Sequence, residues 1–223
     1  MAARLSIRAS LAALWSIAAS MGAAQAAEIS VVVHDERDEA VTDAVVILTP
    51  ASISGEPQAQ APHSGKNASY EIVQKDMRFT PHILVIPRGA SVVFPNRDTV
   101  RHHVYSFSPA KRFELTLYGQ DETRTVTFDQ PGIVAIGCNI HDSMQAYIYV
   151  YEPRQEAKIS EEGRATFRNI PGGEYTITVW HPRMKPHDAE MQRVVRVEAS
   201  AAKVESIAIP LRPARRPVRA SYH

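Results

Sequence analysis

The chain has 223 residues, with 25 basic and 24 acidic side chains and a formal net charge of +1 at pH 7. A balance this close to zero excludes the strongly basic surface that general nucleic-acid binding needs, so no nucleic acid is expected as a partner. One cysteine, Cys138, excludes an internal disulfide.

Arg4 and Arg8 precede the apolar run Leu11 to Ala19, and Ala24-Gln25-Ala26 follows as an A-x-A cleavage signal. This is the pattern of a secretory signal peptide, residues 1–26, cut after Ala26. The apolar run is shorter than the roughly 20 residues of a spanning helix, so no stable membrane insertion is expected. Cleavage removes two of the 25 basic residues and none of the 24 acidic ones, leaving 23 against 24 in an exported, periplasmic protein.

The roughly 200 residues that remain exceed one small sandwich and suit two. With 15 prolines, 10 glycines and short alternating runs, they predict strands and turns throughout. Ile29, Val31 and Val33 alternate, Asp35 to Glu39 makes a polar turn, and Ala44 to Leu48 reads as a buried strand. A two-stranded hairpin is predicted here. Residues 51–66 lack periodicity and read as a linker.

From Asn67 to Glu152 the strands follow closely. Ile83 to Ile86 precedes the turn Pro87-Arg88-Gly89; Val92, Phe94 and Asn96 alternate; Val104 to Phe107, Thr125 to Phe128 and Ile133 to Cys138 come next. In the last of these, Val134, Ile136 and Cys138 share one face by the two-residue period, so the Cys138 sulfur points where the core residues point. Ala146, Ile148 and Val150 then alternate with Tyr147, Tyr149 and Tyr151. The tyrosines either pack on a neighbouring domain or serve as ordinary strand formers, the preferred reading residue by residue. Residues 153–211 are again strands: 165–167, 175–180, 193–197 and 204–209. Residues 212–223 form a basic, proline-broken tail expected to be disordered.

Cys138 opens the run Cys138-Asn139-Ile140-His141-Asp142-Ser143-Met144, spacing C-x2-H-x2-M. A lone thiol in an oxidising compartment calls for an occupant, and metal ligation supplies one. Thiolate and thioether are soft donors and imidazole is borderline; a His2Cys plane with a weak axial Met is the arrangement of a blue-copper centre. The missing donor must be a histidine from elsewhere, and Arg101-His102-His103-Val104 offers two. Adjacent strand residues point to opposite faces, so only one of them can reach the metal. Either His141 or Met144 alone would read as ordinary surface or core. His34, His63, His82, His187 and His223 have no partner spacing and are expected to face solvent, while His181, beside Trp180, is expected to cap a turn.

These residues resemble the cupredoxins, most closely the amicyanin and plastocyanin type. The resemblance covers roughly residues 76–151: Phe79-x-Pro81, Val92 to Asn96, Asp98, the histidine before Val104, Asp129-x-Pro131-Gly132 and the C-x2-H-x2-M loop. It implies a Greek-key β-sandwich holding one type 1 copper ion, with His102, Cys138, His141 and Met144 as ligands. His103 is the rival first ligand and falls where the family commonly carries an asparagine that ties the ligand loops together. Asn139 and Asn96 are the expected supporting residues. Arg101, Asn139 and Asp142 depart from the family, which often has proline before its first histidine and in the loop. Arg101 and Asp142 put opposite charges close to the expected exposed edge of His141, where an apolar docking patch is usual, which bears on the docking mode more than on the copper site.

Val31 to Asp35 with Ala44 to Leu48, and Glu162 to Ile177 far downstream, resemble the two halves of a transthyretin-like or carboxypeptidase-regulatory, Ig-like sandwich. The implied organisation is all-β: a cupredoxin domain at 67–152, either inserted into a discontinuous sandwich of residues 28–50 and 153–211 or carrying residues 28–50 as a strand pair packed on it, with a separate domain following. The expected function is that of a periplasmic one-electron carrier working with redox partner proteins. Copper storage or delivery, or a non-redox interaction module, is the alternative. An oxidase is not expected, because no H-x-H pair for a copper cluster is present and no nucleophile-base pair appears.

Overall fold

A computed structural model describes residues 27–51, 70–141, 143–185 and 190–213. The expected signal peptide and most of the expected linker and basic tail lie outside the described residues. The described chain is all-β, and none of its elements is a helix long and apolar enough to cross a membrane.

Its strands are β1 (Ala27–His34), β2 (Val45–Pro50), β3 (Tyr70–Glu71), β4 (Val73–Lys75), β5 (Arg78–Thr80), β6 (Ile83–Pro87), β7 (Ser91–Pro95), β8 (His102–Ser108) and β9 (Lys111–Tyr118). They continue with β10 (Thr123–Thr127), β11 (Gly132–Gly137), β12 (Gln145–Tyr151), β13 (Glu156–Ile159), β14 (Arg164–Ile170), β15 (Gly173–Trp180), β16 (Met191–Val197) and β17 (Ala202–Ala208). Four sheets stack as layers in the order β14-β1-β17, β13-β2-β15-β16, β6-β12-β11-β8-β9 and β10-β7-β3, with β4-β5 as a separate ribbon.

Three apolar clusters hold these layers together. The first lies between the two sheets that combine the chain's early and late strands, and is built from Ile29, Val31, Val33, Leu48, Phe167 and Ile177 among others. The second fills the central sandwich with Phe94, Phe128, Val134, Ile136, Ile148 and Val150, and it includes Cys138 and Met144. The third joins the two sandwiches: Val45, Ile47 and Trp180 meet Ile83, Tyr147, Tyr149 and Tyr151. Burying each large side chain of this kind contributes about 1.5–3 kcal/mol relative to exposure, which offsets the entropy of ordering the chain.

The hairpin expected for residues 29–48 does not form. β1 pairs with β14 on one side and β17 on the other, while β2 pairs with β13 and β15. The polar turn at 35–39 exists, closed by the Asp35 carboxylate accepting from the Arg37 and Glu39 N–H groups at 2.8 and 3.0 Å. After it the chain crosses the core instead of turning back alongside β1. Alternation identifies a strand, but it does not identify the strand's partner.

The tyrosine face of β12 is also more than strand propensity. Tyr147 and Tyr149 pack their rings 5.5 and 5.9 Å from the Trp180 ring, and Tyr149 donates a 2.7 Å hydrogen bond to Glu190. β12 is therefore covered on both faces, with aliphatic residues inward and aromatics toward the other sandwich. β2 is doubly covered in the same way, which explains its unbroken apolar run. Strand β9 goes beyond the elements expected from the sequence. His181 behaves as expected: its Nδ1 accepts the Arg183 N–H at 3.1 Å.

One glycine is demanded by packing at a turn. Gly163 has φ of 78°, and a Cβ there would sit 2.9 Å from the Ala40 Cβ and 3.0 Å from the Val33 carbonyl. Only glycine fits both the left-handed backbone and the close approach of β1.

Candidate metal centre

The C-x2-H-x2-M loop leaves β11 and enters β12, adjacent antiparallel strands in register from Gly132↔Val150 to Gly137↔Gln145. That pairing fixes both ends of the loop. The loop closes on itself through Met144 N–H to the His141 carbonyl at 2.9 Å and Cys138 N–H to the Met144 carbonyl at 3.3 Å. Gly137 is small for a reason: Tyr105, its partner on β8, lies 3.2 Å from where a Cβ would stand.

Cys138 is 3% exposed and Met144 1%, so both soft donors sit in the core, Cys138 in phase with the inward residues of β11 and Met144 with those of β12. His102, fully buried at the first position of β8, brings its Nδ1 to 4.0 Å from the Cys138 Sγ. His141, half-buried, brings its Nδ1 to 3.9 Å from the same sulfur. The two imidazole rings stand 5.2 Å apart, and the three donor atoms all lie within 4.8 Å of one another. Metal–nitrogen and metal–sulfur arms of about 2.0 and 2.3 Å, zinc's values, reach such separations at a wide angle. The donor set therefore fits one ion placed among the three.

His103, the rival, is also buried but serves another partner. It is not among the clustered donors, and its Nε2 lies 2.9 Å from a Glu114 carboxylate oxygen. A register shift on the β8–β9 ladder falls between His102 and Val104, where bulges commonly re-aim side chains.

Asn96, one of the two expected supporting residues, is fully buried and braces the segment that leads into His102 against the end of β9. Its Nδ2 donates to the Val100 and Tyr118 carbonyls at 2.9 and 3.0 Å, and its Oδ1 accepts the Asp98 N–H at 2.9 Å. Asn139 does not share this role: its side chain is exposed and makes no hydrogen bond among the described residues. Solvent competes for an amide at that position, whereas Asn96 has no alternative partner. Asp142 lies outside the described residues.

Asp98 was legible as a motif position but not as part of the site. Its carboxylate lies 2.6 Å from His102 Nε2 and accepts the Asp76 and Met77 N–H groups at 2.7 and 3.0 Å. Partial burial works to raise the Asp98 carboxyl, but the bonds from Met77, His102 and Asp76 outweigh it and hold the group below its usual range. Asp76 and Met77 form the two-residue turn between β4 and β5, both left-handed with φ of 53° and 54°. Neighbouring Tyr118 is fully buried; burial pushes its phenol up to about 12, and it donates to the Phe94 carbonyl at 2.9 Å while meeting Gln74 Nε2.

Around this end of the sandwich, Met77, Val100, Leu117 and Ile140 are exposed to 52%, 45%, 44% and 50%. They are four of the seven exposed large apolar side chains among the described residues. Arg101 lies over its own sheet edge, donating to the Leu117 carbonyl at 3.2 Å. An apolar rim therefore stands beside the arginine at this end.

No family model and no curated protein matches the chain. Solved structures match in part. A Cu-containing nitrite reductase from Thermus scotoductus is 26% identical over 47% of this chain and 26% of its own, with a TM-score of 0.37. A purple cupredoxin from Nitrosopumilus maritimus is 20% identical over 37% of this chain and all of its own, TM-score 0.34. A reduced amicyanin variant is 19% identical over 47% of this chain and 98% of its own, TM-score 0.35. The chain spans about a quarter of the nitrite reductase. At such scores the weight rests on the donors themselves, which form a cluster able to hold a metal ion.

Proposed function

We propose that this chain is a periplasmic type 1 copper protein that carries one electron at a time between redox partner proteins, and that it is not an enzyme. The observation that carries the reading is the Cys138 sulfur flanked by two imidazole Nδ1 atoms, 4.0 and 3.9 Å away, in a core that also contains Met144. Copper supplies a one-electron couple between Cu(II) and Cu(I) when bound. His102, Cys138 and His141 are the strong donors and Met144 the weak one. Strands on either side hold the donors in place, so little rearrangement opposes a change of oxidation state. His141, the least buried of the four, gives the electron its route to the surface, and the rim of Met77, Val100, Leu117 and Ile140 offers partners a desolvated contact.

The proposal extends to the organisation of the chain. Residues 1–26 act as a signal peptide, and residues 67–152 are a copper domain inserted into an Ig-like sandwich of residues 28–50 and 153–211. What supports the insertion is that β1 and β2 share sheets only with β13 to β17.

Titrating Cu(II) into the metal-free mature protein tests the reading. The expected result is an intense visible charge-transfer band saturating at one equivalent, with the matching electron-resonance spectrum. A colourless complex whose affinity survives Cys138→Ser would sink it. Storage or delivery would use the same donors; burial of three of the four favours the carrier, and rapid loss of Cu(I) to a chelator would reverse that preference.

A further inference from the structure

Two buried histidines sit side by side on β8, and both hold a carboxylate, but the carboxylates differ. Glu114, on His103, has a side chain 67% exposed, whereas Asp98, on His102, is 12% exposed. The Asp98 side chain is also committed on all sides, with one oxygen accepting Asp76 N–H and the other accepting Met77 N–H and facing His102 Nε2 at 2.6 Å. Its own N–H is held by Asn96. A group fixed this fully, with one oxygen against a completely buried imidazole, governs that imidazole's tautomer.

We infer that Asp98 is a positioning residue of the metal centre: it fixes His102 as the Nε2–H tautomer, leaves the Nδ1 lone pair facing Cys138, and biases the centre toward Cu(II). This rests on the copper reading above. A carboxylate on the far nitrogen makes an imidazole a more basic ligand, and its negative charge favours the more highly charged metal ion. The same carboxylate anchors the Asp76–Met77 turn, so the Met77 side of the apolar rim and the first histidine are tied to one group.

The first test needs neither metal nor variant. Nitrogen-15 NMR of the metal-free wild-type protein is expected to show His102 protonated at Nε2; protonation at Nδ1 overturns the inference. In the copper-loaded protein Asp98→Asn is expected to raise the reduction potential, while Asp98→Glu stays near wild type. Asp98→Ala is expected to weaken Cu(II) binding about 10–100-fold. Potentials of Asp98→Asn and Asp98→Glu both equal to wild type would reduce Asp98 to a scaffold role and overturn the inference. If the wild-type protein forms no blue centre, the copper reading fails, and the tautomer still decides the role of Asp98.

Discussion

The two sandwiches bury polar groups for different ends. In the one built from both ends of the chain, buried polar side chains close the structure on itself. The Ser160 hydroxyl accepts the Ala44 N–H at 3.0 Å and donates to the Val41 carbonyl at 2.8 Å, and Ser30 bonds Thr166 at 2.9 Å. In the central sandwich, Asn96, Asp98, His102, Cys138 and His141 converge at one end, and the thiol and two imidazole nitrogens face one another across about 4 Å. Buried polar atoms gain stability only when satisfied, so donor atoms left facing one another mark this end as the candidate metal centre.

Substitutions can break that contrast or sharpen it. The largest effect is expected at the donors: Cys138→Ser and His102→Ala abolish the blue band, whereas His103→Ala retains it, as copper titration by absorption would show. If His103→Ala loses the colour and His102→Ala keeps it, the two faces of β8 have been assigned backwards. Next comes Phe167→Ala in the flanking core, expected to cost about 3–5 kcal/mol in denaturant unfolding while leaving the copper spectrum unchanged. A changed spectrum there would mean that the flanking sandwich helps to shape the site.

A smaller effect concerns His181. Burial, helped by the charge of Arg183, holds its imidazole down to about 4 against an ordinary 6.5. Between those values the unfolded chain takes up a proton that the folded chain refuses, so stability falls as pH drops through this window, by roughly 3 kcal/mol at most. His181→Asn should flatten that part of the profile, and an unchanged slope would remove His181 from the account. Smallest is Tyr149→Phe, which deletes the bond to Glu190 across the third cluster and should cost about 1 kcal/mol in the same unfolding measurement.

The metal loop was legible because its information is local. Cys138, His141 and Met144 lie within one turn of chain, and the period of β11 alone sends the sulfur inward. The choice of His102 over His103 came only through resemblance, since it depends on a register shift against β9, and β9 itself went unread. Asp98 was visible as a residue, but its role depends on a turn 22 positions upstream that only folding brings near. The hairpin error has the same root. The sequence of β1 and β2 describes two buried strands faithfully, but their partners stand more than 100 residues away, as in the pairing of Ile29 with Phe167. The tyrosines of β12 looked ordinary because Trp180 and Val45 approach them from outside the segment.

Strand β12 carries a final consequence. It leaves the loop at Met144 with β6 on one edge, β11 on the other and a separate core against each face. A slip of one residue would drive three tyrosines into the aliphatic core and send Ala146, Ile148 and Val150 to meet Trp180, so neither core tolerates it. The span from Cys138 to Met144 is thus gauged from two sides at once. The amide protons of β12 should be among the slowest in the protein to exchange with solvent, and a loop made longer or shorter would have to bulge outward, because its landing point cannot move.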